Sequence, residues 1–254
     1  MTEFSFDLTG RVALLTGAGR GIGLGMARGL AAYGCAIAIQ DIELDVAQEA
    51  AVQIENEGGR ALALGGDAGD LKLLEEWVET VQQKLGGLHC LINNAAIQHE
   101  ISWMEETIDE FEHQWRVNLL APVRLSQLCV PIFREQKWGR IINIGSIQGK
   151  SGNPTMLPYS MSKAALENMT KGLARELGEH GITVNMMSPG YFNTWRNRDQ
   201  FQTPEDFVKR GQWVPMKRVG QPEDCAGAAL LLCSEAGGYI TGQNLYVDGG
   251  ISAR

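Results

Sequence analysis

The chain is predicted to be an α/β protein whose strands form one parallel sheet. Short apolar runs alternate with longer segments of helical period, which is typical of parallel strands joined by crossover helices. No Pro-, Ser- or Gly-rich linker and no charge run divides the 254 residues. Hydrophobic residues make up 44% of the chain and charged residues 20%, enough for a sizeable core. We therefore expect a single domain over residues 1–254.

Seven apolar runs are the predicted strands, and they can share a single layer. They lie at 11–16, 35–40, 61–65, 88–92, 140–144, 182–187 and 243–247. The segments between them carry helical patterns. Apolar residues recur at three- and four-residue steps from Leu71 to Leu85, which predicts an amphipathic helix over 70–85 with one face on the sheet.

Two further helices and one irregular segment are predicted in the second half of the chain. Thr107 and Glu110 form a capping-box pattern that opens a helical stretch to about residue 136. Another helix is predicted from about 158 to 179. The stretch 191–216, rich in Trp, Arg, Asn and Gln, has the least regular pattern, and we expect it to be a mobile substrate lid.

The charge balance argues against several kinds of partner. The net charge is −8 and the isoelectric point is about 5.1, and no basic patch is visible. Nucleic acids and anionic membranes usually require such a patch, so neither is expected to bind. The N-terminus lacks the pattern of a secretory signal, and no apolar segment is long enough to span a bilayer. The expected location is the cytoplasm.

Neither the cysteines nor the histidines show the spacing of a metal site. The five cysteines lie mostly in apolar stretches and form no C-x-x-C, so we expect buried thiols in a reducing compartment. His89, His99, His113 and His180 are scattered without the ligand spacing of a zinc enzyme, and no metal is expected. Packing or surface roles are predicted for them. His99 is the exception to watch, because it follows a turn expected near the mouth of a sheet-edge site.

A glycine-rich turn follows the first predicted strand. Gly17, Gly21 and Gly23 form a G-x-x-x-G-x-G pattern that also contains Arg20 and Ile22, and a helical segment comes next. Glycines in such a turn permit positive φ and let a pyrophosphate approach the backbone at a helix N-terminus. The alternative is a tight turn without a ligand. The succession of strand, turn, helix and second strand favours a dinucleotide site.

Asp41 ends the second predicted strand, twenty residues beyond Gly21. A carboxylate at this place can accept hydrogen bonds from the adenosine ribose hydroxyls, and its charge would repel a 2′-phosphate. NAD is therefore favoured over NADP. Arg20 is the opposing observation, because a guanidinium in the turn could pair with that phosphate or could instead point to solvent. Asp41 could also be an ordinary turn residue at a strand end.

Tyr159 and Lys163 are four residues apart in a predicted helix, which places both side chains on one face. A free phenol has a pKa near ~10, and a nearby ammonium favours the phenolate and lowers that pKa. Such a pair can serve as a catalytic base, and the hydroxyl of Ser146 could hold a substrate oxygen beside it. Taken alone, the same spacing is also typical of a packed tyrosine beside a solvated lysine.

Six motifs in a fixed order give the chain a family resemblance. They are Gly17/Gly21/Gly23, Asn93-Asn94-Ala95-Ala96, Asn118, Ser146, Tyr159-x-x-x-Lys163 and Ser188-Pro189-Gly190. With these motifs the chain resembles the short-chain dehydrogenase/reductase family from about residue 8 to Gly250. The resemblance implies a single Rossmann-type, doubly wound α/β domain with a parallel seven-stranded sheet. It also implies a nicotinamide cofactor, NAD or NADP, across the carboxyl edge of that sheet, and a homotetramer.

The resemblance further implies catalytic roles for individual residues. Tyr159 would be the general acid/base, and Ser146 would bind the substrate carbonyl or hydroxyl. Lys163 would bind the nicotinamide ribose and lower the pKa of the tyrosine. Asn118 would organise a water that links the lysine to solvent. The substrate would be bound by Ser146, Gln148 and Tyr159.

The cofactor-binding positions implied by the resemblance extend beyond the glycine turn and Asp41. Thr194 would bind the nicotinamide carboxamide. The other positions are Asp67, Ala68, Asn94, Ala95, Pro189 and Gly190, together with Tyr159 and Lys163. Ala96 departs from the commoner glycine of the family, which puts local geometry in doubt more than activity.

Three loops should build the substrate side, because ligands of open α/β sheets bind beyond the carboxyl ends of the strands. They follow Ala96, Ser146 and Gly190. Their candidate side chains are mostly polar: Gln98, His99, Gln148, Lys150, Asn153, Met156, Trp195, Arg196, Arg198 and Trp213. A polar lining favours a hydroxylated or anionic substrate, although the basic residues could instead be solvated charges. NNAAIQ, NIGSIQ and SPGYFNT resemble the sugar-acid and polyol branch of the family, the gluconate 5-dehydrogenase type.

The predicted function is interconversion of a secondary alcohol and a ketone by hydride transfer with NAD(P). The predicted substrate is a sugar acid, a polyol or another small polar hydroxy compound. Among enzymes, the alternative is a 3-oxoacyl-(acyl-carrier-protein) reductase that uses NADPH. A non-catalytic dinucleotide-sensing protein is the alternative of another class. Such a protein has no need of an intact Asn118, Ser146, Tyr159 and Lys163 set, so an enzyme is favoured.

Overall fold

The computed structural model describes residues 5–197 and 203–253, and within these ranges seven strands form one sheet. The strands are β1 Val12–Leu15, β2 Ala36–Asp41, β3 Arg60–Gly65, β4 Cys90–Asn93, β5 Gly139–Ile144, β6 Ile182–Pro189 and β7 Asn244–Val247. All neighbouring pairs run parallel. Each strand overlaps its predicted apolar run. The predicted α/β class with a parallel seven-stranded sheet is confirmed.

Helices connect the strands. In the described part of the chain they are α1 Gly21–Ala31, α2 Leu44–Asn56, α3 Leu73–Leu85, α4 Ile108–Trp115, α5 Ala121–Glu135, α6 Gln148–Ser151, α7 Leu157–Leu177, α8 Pro204–Gly211 and α9 Ala226–Cys233. The helix predicted over 70–85 begins three residues later, because Asp70 accepts a hydrogen bond from the backbone of Lys72 and holds a turn before α3. The long helix predicted from Thr107 is present, but a π-helical turn at Arg116–Leu120 separates α4 from α5.

The strand order is β3-β2-β1-β4-β5-β6-β7. The chain therefore builds one half of the sheet outward from β1 and then returns to begin the other half at β4. The loops that leave the carboxyl ends of these two neighbouring strands diverge, and such a switch point is where open α/β sheets bind ligands. The glycine turn follows β1 and the Asn-Asn-Ala-Ala segment follows β4.

Two apolar layers cover the two faces of the sheet. On one face α1, α2 and α9 pack through side chains such as Met26, Ile54 and Leu232. On the other, α3, α5 and α7 pack through side chains such as Trp77 and Phe133. This packing removes the apolar runs of the central strands from water. Each Å² of apolar surface that is buried stabilises the folded state by roughly 25 cal/mol. The loops at its carboxyl edge are thus held on a rigid base.

All five cysteines are buried as free thiols, as predicted. Burial raises the pKa of the Cys129 and Cys225 thiols, so both are held in the unreactive protonated form. Among the described helices, none combines the length and the apolar character needed to cross a bilayer.

Candidate active site

A cavity of 660 Å³ lies at the carboxyl edge of the sheet, within the size range of ligand pockets in proteins. Its wall comes from the loops after six strands, β1 to β6. The predicted site residues that line it are Gly17, Arg20, Gly21, Ile22, Gly23, Asp41, Asp67, Ala68, Asn94, Ala95, Ser146, Gln148, Tyr159, Lys163, Pro189, Gly190 and Thr194. The fold therefore brings together side chains that are far apart in the sequence. Asn118 does not line the cavity.

The glycine turn lines the cavity directly before α1. Gly17 and Gly21 have φ of 57° and 59°, the left-handed region that favours glycine. A Cβ atom at Gly23 would lie 2.6 Å from the Cα of Ala18, so only glycine allows this close packing. No side chain caps the N-terminus of α1, which leaves backbone N–H groups for an anion. These features fit the pyrophosphate of a dinucleotide.

Thr16 and Asn94 lock the glycine turn to the loop after β4. The hydroxyl of Thr16 accepts hydrogen bonds from the backbone N–H groups of Asn94 at 3.1 Å and Ala95 at 3.0 Å. In return, Nδ2 of Asn94 donates to the carbonyl of Gly17 at 2.7 Å. The amide of Asn94 thus holds the turn, while the cofactor contact that the family resemblance implied for it stays a prediction. Thr16 was not predicted, although a hydroxyl at the end of an apolar strand was a visible signal.

Three charged side chains line the cavity near the end of β2: Asp41, Glu43 and, from the glycine turn, Arg20. The carboxylate of Asp41 accepts from the backbone N–H of Gly19 at 3.1 Å and lines the cavity. Arg20 forms an ion pair with Glu43, and its guanidinium carbon lies 4.4 Å from the ring centroid of Trp195. The guanidinium of Arg20 is therefore held by a carboxylate and an aromatic ring and does not point freely to solvent. This part of the cavity wall thus carries two carboxylates, and its arginine is already paired with one of them.

Gln40 is a further support that sequence reasoning missed. It is buried, its Oε1 accepts from the N–H of Gly17 at 3.1 Å, and its Nε2 donates to the carbonyl of Gly66 at 2.7 Å. The side chain joins the glycine turn to the loop after β3. That loop carries Asp67 and Ala68, and Asp67 accepts from the N–H of Gly69 at 2.8 Å. A polar residue inside an apolar run was the signal.

Tyr159 and Lys163 lie on α7 and line the same cavity, and both are buried. The Nζ of Lys163 donates to the carbonyl of Ile144 at 2.7 Å and lies 5.5 Å from the ring centroid of Tyr159. Burial lowers the pKa of Lys163 to about 7, and the guanidinium of Arg196 adds to that effect. At neutral pH the lysine is therefore close to half charged, whereas the sequence argument assumed a full ammonium.

Ser146 lies in the loop after β5, and its Oγ accepts from the N–H of Gln148 at 3.2 Å. A serine hydroxyl that accepts in this way keeps its own hydrogen for another acceptor. Ser146, Gln148 and Tyr159 all line the same end of the cavity as Lys163. The arrangement can hold an oxygen atom between a hydroxyl donor and a phenol.

Asn118 lies in the π-helical turn and is fully buried. Its Oδ1 accepts from the N–H of Ile97 and its Nδ2 donates to the carbonyl of the same residue, both at 2.8 Å. Nδ2 also lies 3.3 Å from the hydroxyl of Ser162. The side chain thus ties the loop after β4 to the helix that carries Tyr159 and Lys163. The role in organising a water, which the family resemblance implied for Asn118, stays a prediction.

The candidate substrate loops contribute unequally to the cavity. Residues that line it are Gln98, His99, Gln148, Asn153, Met156, Trp195 and Arg196. Lys150 does not, because its Nζ donates to the carbonyl of Ser252 at 2.9 Å. Trp213 is also absent from the wall. Arg198 lies outside the described residues, as does part of the predicted lid, 198–202.

Comparison with known proteins agrees with this geometry. A family model described as enoyl-(acyl-carrier-protein) reductase matches residues 17–252. The 5-keto-D-gluconate 5-reductase of Escherichia coli K12 is 34% identical over 246 residues, 97% of both chains. A 3-oxoacyl-(acyl-carrier-protein) reductase of Synechocystis is 34% identical over 96% of this chain and 98% of its own.

A solved structure shows the same fold around a bound dinucleotide. It is the gluconate 5-dehydrogenase of Burkholderia cenocepacia J2315 in complex with NADP and tartrate. It superposes with a TM-score of 0.91 at 34% identity, over 98% of both chains. The family model covers nearly the whole chain, and the relatives match it end to end. The chain therefore belongs to the short-chain dehydrogenase/reductase family and is an NAD(P)-dependent oxidoreductase acting on CH–OH groups.

Proposed function

We propose that this enzyme interconverts a secondary alcohol and a ketone of a sugar acid or polyol, with Tyr159 as the general acid/base. The observation that carries the proposal is the buried pair of Tyr159 and Lys163, which lines one cavity together with Ser146 and the glycine turn. A dinucleotide bound by that turn would supply or accept the hydride. The protein has to orient the substrate and exchange one proton.

Each side chain in this arrangement has a proposed task. The hydroxyl of Ser146 donates a hydrogen bond to the substrate oxygen, since its acceptor side is used by Gln148. The phenolic oxygen of Tyr159 gives or takes the proton of that same oxygen. Lys163 is held next to the phenol by its hydrogen bond to the carbonyl of Ile144, and its other N–H groups are left for the nicotinamide ribose. Asn118 positions α7 and the loop after β4.

Cofactor contacts are proposed for the remaining cavity residues. The backbone of Gly17 to Gly23 would hold the pyrophosphate, and Asp41 the adenosine ribose. Thr194 lies beside the turn, since a Cβ at Gly21 would be 3.5 Å from its side chain, and we assign it to the carboxamide. The other proposed positions are Arg20, Ile22, Asp67, Ala68, Asn94, Ala95, Pro189 and Gly190.

The polar cavity wall supports a hydroxylated or anionic substrate. Gln98, His99, Gln148, Asn153 and Arg196 outnumber the apolar side chains among the candidate substrate residues. Relatives named for gluconate chemistry, and a relative solved with tartrate, point to hydroxy acids. A relative named as a 3-oxoacyl-(acyl-carrier-protein) reductase supports the alternative function, the reduction of a 3-oxoacyl thioester.

A substrate panel tests the proposal. The purified enzyme should oxidise sugar acids such as gluconate, or polyols, and reduce the corresponding keto acids. Its kcat/KM for these compounds should exceed that for acetoacetyl thioesters by at least about tenfold, because unpaired polar groups in the wall would disfavour an acyl chain. Absorbance of the reduced nicotinamide gives the rates. Faster turnover of the thioesters would overturn the substrate class and leave the reaction type intact.

NAD preference is a separate proposal about the adenosine end. Asp41 and Glu43 place negative charge where a 2′-phosphate would lie, and Glu43 already binds Arg20. The negative charges of these two carboxylates would oppose binding of the phosphate. Gluconate 5-dehydrogenases from two other bacteria were solved with NADP, and those neighbours weigh on the other side.

Asp41→Asn tests the cofactor preference. The substitution keeps the size of the side chain and one acceptor oxygen for Gly19, so the turn should survive, while the charge is removed. We expect the wild-type kcat/KM ratio of NAD over NADP to fall by about tenfold, equivalent to about 1.4 kcal/mol. Asp45→Asn, on the exposed surface of α2, is the control and should leave the ratio unchanged. A wild-type preference for NADP would contradict the proposal directly.

Further proposals concern organisation rather than chemistry. We propose one catalytic domain over 1–254, in which 191–216 serves as the substrate lid, because Tyr191 and residues 194–197 line the cavity. A homotetramer is supported by exposed apolar side chains, among them Ile108, Leu120 and Tyr239. Free buried cysteines are typical of reducing compartments and support a cytoplasmic location.

A further inference from the structure

The cavity wall contains a histidine whose ring is held by a buried carboxylate. His99 lines the cavity together with Ser146 and Tyr159. Its Nδ1 lies 3.3 Å from Oε1 of Glu106 and 3.5 Å from Oε2 of Glu110. The side chain of Glu106 is 5% exposed and that of Glu110 is 52% exposed. Glu106 is therefore the partner with a fixed position.

The buried carboxylate of Glu106 lowers the stability of the fold, because one of its oxygens is unpaired in the described part of the chain. Its Oε1 accepts from Nε2 of Gln114 at 3.1 Å, whereas its Oε2 is buried without a hydrogen-bond partner in the described ranges. No lysine or arginine of those ranges pairs with it. A buried carboxylate that lacks donors destabilises a protein relative to an apolar side chain of similar size. A role toward His99 would account for its place beside the cavity.

The backbone around His99 is fixed at two points. On one side, both the N–H and the carbonyl of Ile97 are bound by the side chain of Asn118 at 2.8 Å. On the other side, the N–H of Ile101 donates to the carbonyl of Thr155 at 2.9 Å, directly before α7. The segment that carries His99 is thus tied to α7 through Asn118 and to the loop before α7 through Thr155. Such preorganisation of backbone and ring is what a recognition group requires.

The carboxylate also decides which ring nitrogen carries the hydrogen. A carboxylate can only accept, so Nδ1 of a neutral His99 must be the donor and Nε2 must be an acceptor. Nε2 has no hydrogen-bond partner within the described residues. An acceptor on the cavity wall matches a hydroxyl group, which a polyhydroxylated substrate carries next to its reacting carbon.

We propose that His99 is a specificity-determining residue that accepts a hydrogen bond from a second hydroxyl of the substrate, and that Glu106 is its positioning residue. The inference rests on the proposed polyol or sugar-acid function and adds the group that reads the hydroxyl. When the substrate lacks that hydroxyl, Nε2 of His99 is left to water, because the side chain is 38% exposed. The expected discrimination is therefore about that of one hydrogen bond.

The test compares two substrates in four variants. For gluconate or a related polyhydroxy acid, His99→Ala should raise KM by about tenfold, the loss of one hydrogen bond, with kcat changed less than about threefold. For cyclohexanol, which has no second hydroxyl, the same variant should leave kcat/KM unchanged. Glu106→Leu should follow His99→Ala. Glu106→Gln keeps an acceptor oxygen for Nδ1 and should stay near the wild type. His113→Ala, an exposed histidine on α4, is the control.

The outcomes separate the two levels of the proposal. An unchanged KM for the polyhydroxy acid in His99→Ala overturns the role of His99, and so does an equal loss with both substrates. A normal KM in a folded Glu106→Leu overturns the positioning role. The His99→Ala result stands by itself if Glu106→Leu does not fold. A wild-type enzyme that neither binds nor turns over any hydroxy compound refutes the proposed function and this inference together.

Discussion

Tyr159→Phe is expected to abolish turnover while leaving the affinity for NADH nearly unchanged. The substitution removes one oxygen atom, and the ring, whose residue is 7% exposed, keeps its packing on α7. A positioned general acid/base contributes about 10²–10⁴-fold to a rate. We expect kcat to fall by about 10³-fold or more. Absorbance assays measure the rate, and fluorescence titration of NADH measures the dissociation constant.

The control for Tyr159→Phe is a second phenol. Tyr246 lies on β7 outside the cavity wall, so Tyr246→Phe should keep wild-type activity. If Tyr159→Phe retains most of its activity and Tyr191→Phe loses it, the proton passes through the phenol of the lid instead. Parallel loss of NADH binding and of thermal stability in Tyr159→Phe would make the tyrosine a packing residue.

Much of the fold could be predicted because its signals are local. An apolar run such as RVALLT specifies a strand through its own composition, and the steps from Leu71 to Leu85 specify a helix through its own period. The ends of helices and strands depend on tertiary hydrogen bonds, so several observed ends differ from the predicted ones by a few residues. Asp70 delays α3. The pairing of Pro189 with Val247 extends β6 beyond its predicted end.

The site could be predicted at the residues that bear chemistry, and less well at those that hold them. The partners of a supporting side chain lie far away in sequence: the hydroxyl of Thr16 binds Ala95, 79 residues on, and Gln40 binds Gly17, 23 residues back. Asn118 was found by its motif, but its partner Ile97 could not be. Nothing in the sequence around Glu106 distinguishes it from an exposed glutamate, whereas in the structure its side chain is only 5% exposed. Degree of burial is a property of the whole chain.

Lys163→Met is expected to stabilise the protein while removing its activity, because burial disfavours the charge of this lysine. Burial lowers the pKa of this lysine from 10.5 to about 7. The folded state therefore disfavours its charge, and each pKa unit corresponds to about 1.4 kcal/mol. Methionine has a similar volume and no charge. Replacing a buried charged group by an apolar one of similar volume typically stabilises by about 1–4 kcal/mol.

The sign of the pH dependence follows from the two pKa values. Below pH 7 the lysine is protonated in both states, and the full destabilisation by the buried charge is present. Between about pH 7 and 10.5 only the unfolded chain keeps the proton, so raising the pH favours the folded state and the destabilisation declines. The stability gain of Lys163→Met should therefore be largest near pH 6 and small above pH 10.

Urea unfolding of the cofactor-free wild type and of Lys163→Met at several pH values measures this difference. Lys171→Met, on the exposed side of the same helix, is the matched control and should show no comparable trend, because its ammonium is solvated and paired with Glu167. Equal stability of wild type and Lys163→Met across the pH range would mean that Lys163 keeps its charge at little cost. A gain in stability together with a loss of turnover would show that the site retains a buried cation for catalysis, against the preference of the fold.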